Sequence, residues 1–208
     1  MRNPLKTPRK NPAQSRSADL VASIFEASVR ILKTVGGAKF STRKIAELAG
    51  VSVGSLYQYF PNKESIIGAL IEREAKRHVD LLEKKFAEIQ NQSFEVVIKT
   101  LITELIHTVQ RDRALLRAIL SSTFVTDRLD SIIEAREHMI TFVSRILETS
   151  GVSASAPSPR VTAYTICAAL GGVVETIIFR KTEPFSDQVL IEEVSRMVHA
   201  YCLLPEAP

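Results

Sequence analysis

The sequence predicts an all-α protein, and three observations predict it. Apolar residues recur at three- and four-residue spacing through most of the 208-residue chain. No segment alternates apolar and polar residues convincingly enough for a strand, and there is no repeat and no heptad array long enough for a coiled coil. Turn-forming residues divide the periodic segments into about nine helices. With 45% hydrophobic residues the chain can bury a sizeable core, as one domain or two small ones. Its net charge of +4 hides an asymmetry: residues 1–77 hold 14 Lys+Arg against 6 Asp+Glu, and residues 78–208 hold 13 against 17. A basic head on an acidic body suits a protein whose head alone meets nucleic acid.

Residues 1–15 contain three prolines and four basic residues, the composition of a flexible tail that either reaches a DNA groove or is simply solvated. A first helix is expected from about Ser17 to Thr34, with Leu20, Ile24, Ile31 and Val35 on one face and Gly36-Gly37 as its stop. Next, Thr42 to Ala49 forms a short amphipathic helix with Ile45, Leu48 and Ala49 on its apolar side. Ser41 is its N-cap, Phe40 and Ile45 make a hydrophobic staple, and Gly50 supplies the left-handed turn. The device then repeats. Ser52 caps a second helix, Val51 and Leu56 staple it, and Pro61 ends it at Phe60. Two short helices across a glycine turn make a helix-turn-helix, whose second helix enters the major groove.

The second helix has the contents for that task. Val53, Gly54 and Ser55 lie in its first turn, where small side chains let the backbone approach base edges. Tyr57 and Tyr59 carry hydroxyls for phosphates, and Asn62 caps a third helix with Lys63 in its first turn, a ready phosphate site. The run IAELAGVSVGSLYQYFPNKES resembles the TetR/AcrR family of one-component transcriptional repressors, as a motif over about 50 residues and by layout over the whole chain. That resemblance implies DNA contacts at Thr42, Arg43, Ser52, Ser55, Tyr57, Tyr59 and Lys63, with Val53 and Gly54 at the base-reading positions. Valine and glycine bring no side-chain hydrogen bonds, so specificity would lean on thymine methyls and DNA shape. Gly50 to Gly54 also matches G-x-S-x-G, the nucleophile elbow of serine hydrolases. That elbow needs a preceding buried strand, whereas Lys44 to Ala49 has helical periodicity, so Ser52 reads as a cap.

A long helix from Asn62 to about Ile89 follows, and its polar stretch Glu72 to Asp80 reads as a solvated strut. Three apolar-faced helices are expected at about 94–110, 112–122 and 127–149, then a loop, SGVSASAPSPR, and two last helices at about Val161–Lys181 and Ser186–Leu203. These divide the chain into a tail (1–15), a head with the start of the linking helix (16–80) and a body (81–208). The resemblance implies an effector pocket in the body, with Leu101, Leu105, Ile119, Phe124, Met139 and Phe142 as candidate lining and His107, Thr108 and Arg136 as its polar groups. The same pattern describes a filled core, and Arg136 equally suits an internal ion pair.

The last two helices are unusually apolar. Ala168, Ala169, Gly172, Glu175 and Phe179 on the first, and Val194, Met197, Val198 and Tyr201 on the second, are candidates for a homodimer interface of four-helix-bundle type. An ordinary monomer core is the alternative, and Glu175 is interfacial or solvated. One short recognition helix reads few bases alone, which favours the dimer. His199 and Cys202 have a spacing open to a metal but lack further ligands, and no carboxylate pair or phosphate loop supports catalysis. Two cysteines fit a reducing compartment, and no run is expected to reach membrane-spanning length, so a cytoplasmic protein without membrane contact is expected. The reading is a homodimeric repressor, without cofactor or metal, that binds double-stranded operator DNA and is released by a small, apolar effector. An architectural DNA binder without a ligand is the alternative, and an enzyme acting through Ser52 a third.

Overall fold

A computed structural model of the chain describes residues 12–35, 40–121, 129–150, 158–180 and 185–203. Among these residues there are eight helices: α1 (Pro12–Val35), α2 (Thr42–Ala49), α3 (Val53–Tyr59), α4 (Lys63–Ile89), α5 (Phe94–Leu120), α6 (Leu129–Thr149), α7 (Pro159–Phe179) and α8 (Asp187–Leu203). No strand occurs among them, so the all-α expectation holds. The count is eight rather than nine because the segments expected at 94–110 and 112–122 are one helix, α5. The polar junction Gln110-Arg111-Asp112-Arg113 holds neither glycine nor proline, and nothing in it stops the helix. α1 begins at Pro12, earlier than expected, since a proline at the first helical position gives up an N–H that would have no partner there anyway. The Gly36-Gly37 stop, Phe124 and the first eleven residues of the tail lie outside the described residues.

The chain divides into two compact units, Met1–Ile67 and Gly68–Pro208, the boundary falling inside α4. In the first unit the turn chemistry reads as written. Ser41 Oγ accepts from Lys44 N at 3.4 Å, Ser52 Oγ from Ser55 N at 2.9 Å, and Asn62 Oδ1 from Ser65 N at 2.7 Å. Gly50 takes φ 68° and ψ 27°, the left-handed conformation that lets Val51 N reach Ala46 O at 3.0 Å. Ile24, Phe40, Ile45, Ala46, Leu56, Phe60, Ile66 and Ile67 are buried, and the rings of Phe25 and Phe60 meet edge-on at 5.6 Å. On α2 the apolar side is corrected: Ala46 is buried, while Leu48 is 42% exposed.

The second unit packs α5 against α7 and α8, and α6 against α7. One buried group joins Ile102 and Ile106 of α5, Leu147 of α6, Ile166 and Ile177 of α7, and Ile191 and Val198 of α8. Another joins Leu82 and Phe86 of α4, Leu101 of α5, and Phe142 and Ile146 of α6. Phe86 and Phe142 meet edge-on at 6.2 Å, and Arg145 pairs with Glu83 at 2.7 Å.

The polar stretch Glu72 to Asp80 is solvated on one side only. Glu74 is only 7% exposed, and its Oε2 accepts from Arg77 Nε at 2.8 Å. Arg77 Nη2 donates to Asp112 Oδ2 of α5 at 2.5 Å and lies 3.0 Å from His78 Nε2. Glu74, Arg77 and His78 are therefore drawn inward because their charges are matched, while Glu72, Arg73, Lys76 and Asp80 stay exposed. Burial pushes the Asp112 carboxyl up, but the hydrogen bond and charge of Arg77 outweigh it and hold the group below the usual carboxylate range. Burial, aided by the Arg77 charge, pushes His78 below 6.5, against the weaker pull of Asp112 and Glu74. Unfolding frees His78 to take up a proton that the folded chain resists, so its contribution to stability is lost as pH falls from about 6.5 toward the lowered folded value. Melting curves at pH 7.5 and 5.5 should show a larger drop in Tm for the wild type than for His78→Phe. Equal drops would mean that His78 titrates alike in the folded and unfolded chain.

Candidate nucleic-acid interface and effector cavity

The first unit brings the nine sequence-nominated contact residues to α2, α3 and the start of α4, and none of them is buried. Val53, Tyr57 and Tyr59 are 39%, 50% and 40% exposed, large side chains turned to solvent on a short helix whose Leu56 is fully buried. Thr42 Oγ1 and Tyr57 OH lie 3.3 Å apart, tying the first turn of α2 to α3. Ser52 Oγ is engaged by Ser55 N and by Ser55 Oγ at 2.8 Å, so its lone pairs serve the cap rather than a nucleophile. A Cβ at Gly54 would meet only Ser52 Oγ, at 3.8 Å, an ordinary contact, so packing within the chain does not require glycine there.

In the second unit a cavity of about 340 Å³ lies among α4, α5, α6, α7 and α8. This volume is within the range of small-molecule sites. Of the residues nominated from the sequence, Leu101, Leu105, Ile119, Arg136, Met139 and Phe142 line it. His107 does not: it is exposed, two residues from Leu105 and hence about 200° around α5. Thr108 does not either. It is buried, and its hydroxyl donates to Glu104 Oε1 at 3.3 Å and accepts from Arg111 at 3.2 Å. Arg136 is exposed at the cavity and has no carboxylate partner among the described residues, which corrects the internal ion pair.

Sequence reasoning missed the α4 and α7 walls. α4 contributes Ile71, Glu74, Ala75, His78, Val79 and Leu82, and α7 contributes Ile166, Cys167, Leu170, Gly171, Val174 and Ile178. Ile71, Ala75 and Val79 recur at four-residue spacing through the polar stretch, a signal that could have found the first wall. Burial pushes the thiols of Cys167 and Cys202 up to about 11, which leaves both unreactive at neutral pH. His199 stacks its ring against Phe94 at 6.0 Å, and no group of three metal-ligating side chains occurs among the described residues.

The opposite side of α7 is bare. Tyr164 is 62% exposed and Phe179 39%, with Ala168, Ala169, Gly172 and Glu175 exposed between them. On α8, Met197 is 45% exposed, but Val194 and Val198 belong to the chain's own core and are not available to a partner. The expectation that no run reaches membrane-spanning length is also corrected. α7 is long and apolar enough by length and composition, with 28% of its apolar window buried within the chain.

Comparison with known proteins places both units. Residues 24–70 match the family described as bacterial regulatory proteins, tetR family, and residues 93–201 match the tetracyclin repressor-like C-terminal domain. An uncharacterized HTH-type transcriptional regulator of Mycobacterium tuberculosis is 33% identical over 76 residues, 36% of this chain and 39% of that protein. The chain thus matches about two fifths of that relative's length. A crystal structure of a TetR-family regulator from Mesorhizobium loti superposes with a TM-score of 0.73 at 20% identity, covering 89% of this chain and 96% of the other. FadR from Bacillus subtilis, solved in complex with stearoyl-CoA, superposes at 0.67 with 20% identity, covering 85% and 96%. Read together with the two short capped helices of the first unit and the helical body of the second, these matches show that the chain belongs to the TetR family of bacterial DNA-binding transcriptional regulators.

Proposed function

We propose that the chain is a cytoplasmic homodimeric repressor whose second unit takes up an apolar small molecule that lowers its affinity for operator DNA. The observation that carries this reading is the cavity, whose walls are apolar apart from Glu74, His78, Arg136 and Cys167. The body of an architectural DNA binder has no use for such a space, whereas a family neighbour has been solved with a long-chain acyl compound. Operator contact falls to Thr42, Arg43, Ser55, Tyr57, Tyr59 and Lys63 for phosphates, and to Val53 with the bare backbone of Gly54 for base edges. The exposed apolar side of α7 supports a second copy as partner: a soluble chain seldom leaves so large an apolar face to water.

Three measurements test this. Lys63→Ala should weaken binding to operator and random DNA alike and lower the salt slope by about 0.9 for each protomer. An unchanged slope in a folded variant would remove Lys63 from the footprint.

Two neighbouring glycines should separate assembly from ligand uptake. A Cβ at Gly171 or at Gly172 would meet nothing within 4 Å in the single chain, but Gly171 lines the cavity and Gly172 is exposed. Gly172→Leu should weaken the dimer by about 1–3 kcal/mol of overpacking and leave ligand uptake intact. Gly171→Leu should weaken ligand uptake more than it weakens the dimer. A wild-type chain that is monomeric by light scattering at micromolar concentration would end the two-half-site arrangement.

The third concerns release. Whatever factor the ligand takes from operator affinity, the operator must take from ligand affinity. An acyl-chain compound that raises the Tm should therefore bind more weakly in the presence of operator. Equal affinity with and without operator would mean that the cavity's occupant is not an inducer.

A further inference from the structure

The cavity is apolar nearly all round, yet its α4 wall carries two polar side chains four residues apart, Glu74 and His78. Neighbours at that spacing project from one helix face with Cβ atoms roughly 6 Å apart. Their hydrogen-bonding capacity is set by Arg77. Its Nε takes Glu74 Oε2 at 2.8 Å, and no partner for Oε1 is found among the described residues. Glu74 thus retains an acceptor on a side chain that is 7% exposed and lines the cavity.

His78 supplies the complement. Arg77 Nη2 lies 3.0 Å from His78 Nε2, and Asp112 Oδ2 lies farther off at 3.6 Å; a guanidinium can only donate, so the nearer contact has Nε2 accept. The imidazole proton then resides on Nδ1, and burial beside Arg77 keeps the ring neutral. Both residues line the cavity, so one helix face brings a carboxylate acceptor and an imidazole N–H donor to its wall. At this pair, away from whatever Arg136 receives, a carboxylate group would meet the like charge of Glu74, and an ammonium group would meet the imidazole N–H and the nearby Arg77 charge. A hydroxyl satisfies both groups, since it donates through its hydrogen and accepts through its oxygen.

Resting on the reading of the cavity as the effector site, we infer that Glu74 and His78 together receive a hydroxyl group, so that the effector is a hydroxylated apolar molecule. Glu74 takes the hydroxyl hydrogen and His78 Nδ1 gives a hydrogen to its oxygen.

The test is calorimetric titration of the full-length protein with 1-decanol, decyl methyl ether and 1-chlorodecane, three chains of similar length that differ at one end. The wild type should bind the alcohol about tenfold or more tightly than the ether, which has no hydrogen for Glu74. Glu74→Gln should reduce that preference to within roughly threefold, since an amide can donate to the ether oxygen. His78→Phe should weaken the alcohol and the ether together, and by more than it changes the chloroalkane. Equal binding of all three by the wild type would overturn the hydroxyl assignment and leave the cavity reading standing. Binding of none would overturn both.

Discussion

Arg77 is the residue on which the second unit's polar interior depends. Two carboxylates, Glu74 and Asp112, approach it from α4 and α5, and a buried charge is tolerable only with such company. Take the guanidinium away and Glu74 is left as an uncompensated anion against an apolar cavity. The same group lies 3.0 Å from His78 Nε2, so it bears on which hydrogen-bonding atoms the cavity wall presents. One cation thus joins α4 to α5 and gives the cavity its polar end. It could not be replaced by lysine on equal terms, because three acceptors in different directions need the forked, planar geometry of a guanidinium.

The first unit is held by a different logic, which is local. Its helices are each only seven or eight residues long at α2 and α3, too short to persist alone in water. Ser41, Ser52 and Asn62 each satisfy a backbone N–H at a helix start, and Gly50 provides the single left-handed residue among those described. Buried Ile45, Leu56 and Phe60 then anchor the two helices from below. The consequence is a rigid presentation of Val53, Tyr57 and Tyr59 to solvent, side chains that no core requires and that a partner surface must justify.

This contrast explains what was legible in the amino-acid sequence. Caps, staples and turn glycines act over three or four residues, so the helix-turn-helix could be read with its boundaries nearly intact. The all-α class was equally legible, because helical periodicity is a local signal. The cavity was not. Leu101 and Met139 were nominated on apolar character alone, but α4 was misread because Arg77, the partner of buried Glu74, is itself held by Asp112 of α5, 35 positions away. His107 and Thr108 were misplaced for a related reason: polar residues near an apolar stripe carry no mark of which neighbour they will face. Val194 and Val198 share the apolar character of Met197, and only the packing of α8 on α5 sorts core from surface.

The disposition of α7 has a consequence for how such a protein diversifies. One side of the helix lines the cavity and the other lies bare, with Gly171 and Gly172 adjacent in sequence on the two sides. A close-packed helix transmits displacement rather than absorbing it, so bulk added on the cavity side shifts the axis that carries Tyr164, Ala168 and Phe179. Changes in chemical preference made through α7 therefore also move its bare face. α5 and α6 carry no such double duty where Leu105, Ile119 and Met139 meet the cavity. Descendants with new preferences should accumulate their substitutions on those two helices, where a change at the cavity leaves the bare face of α7 where it was.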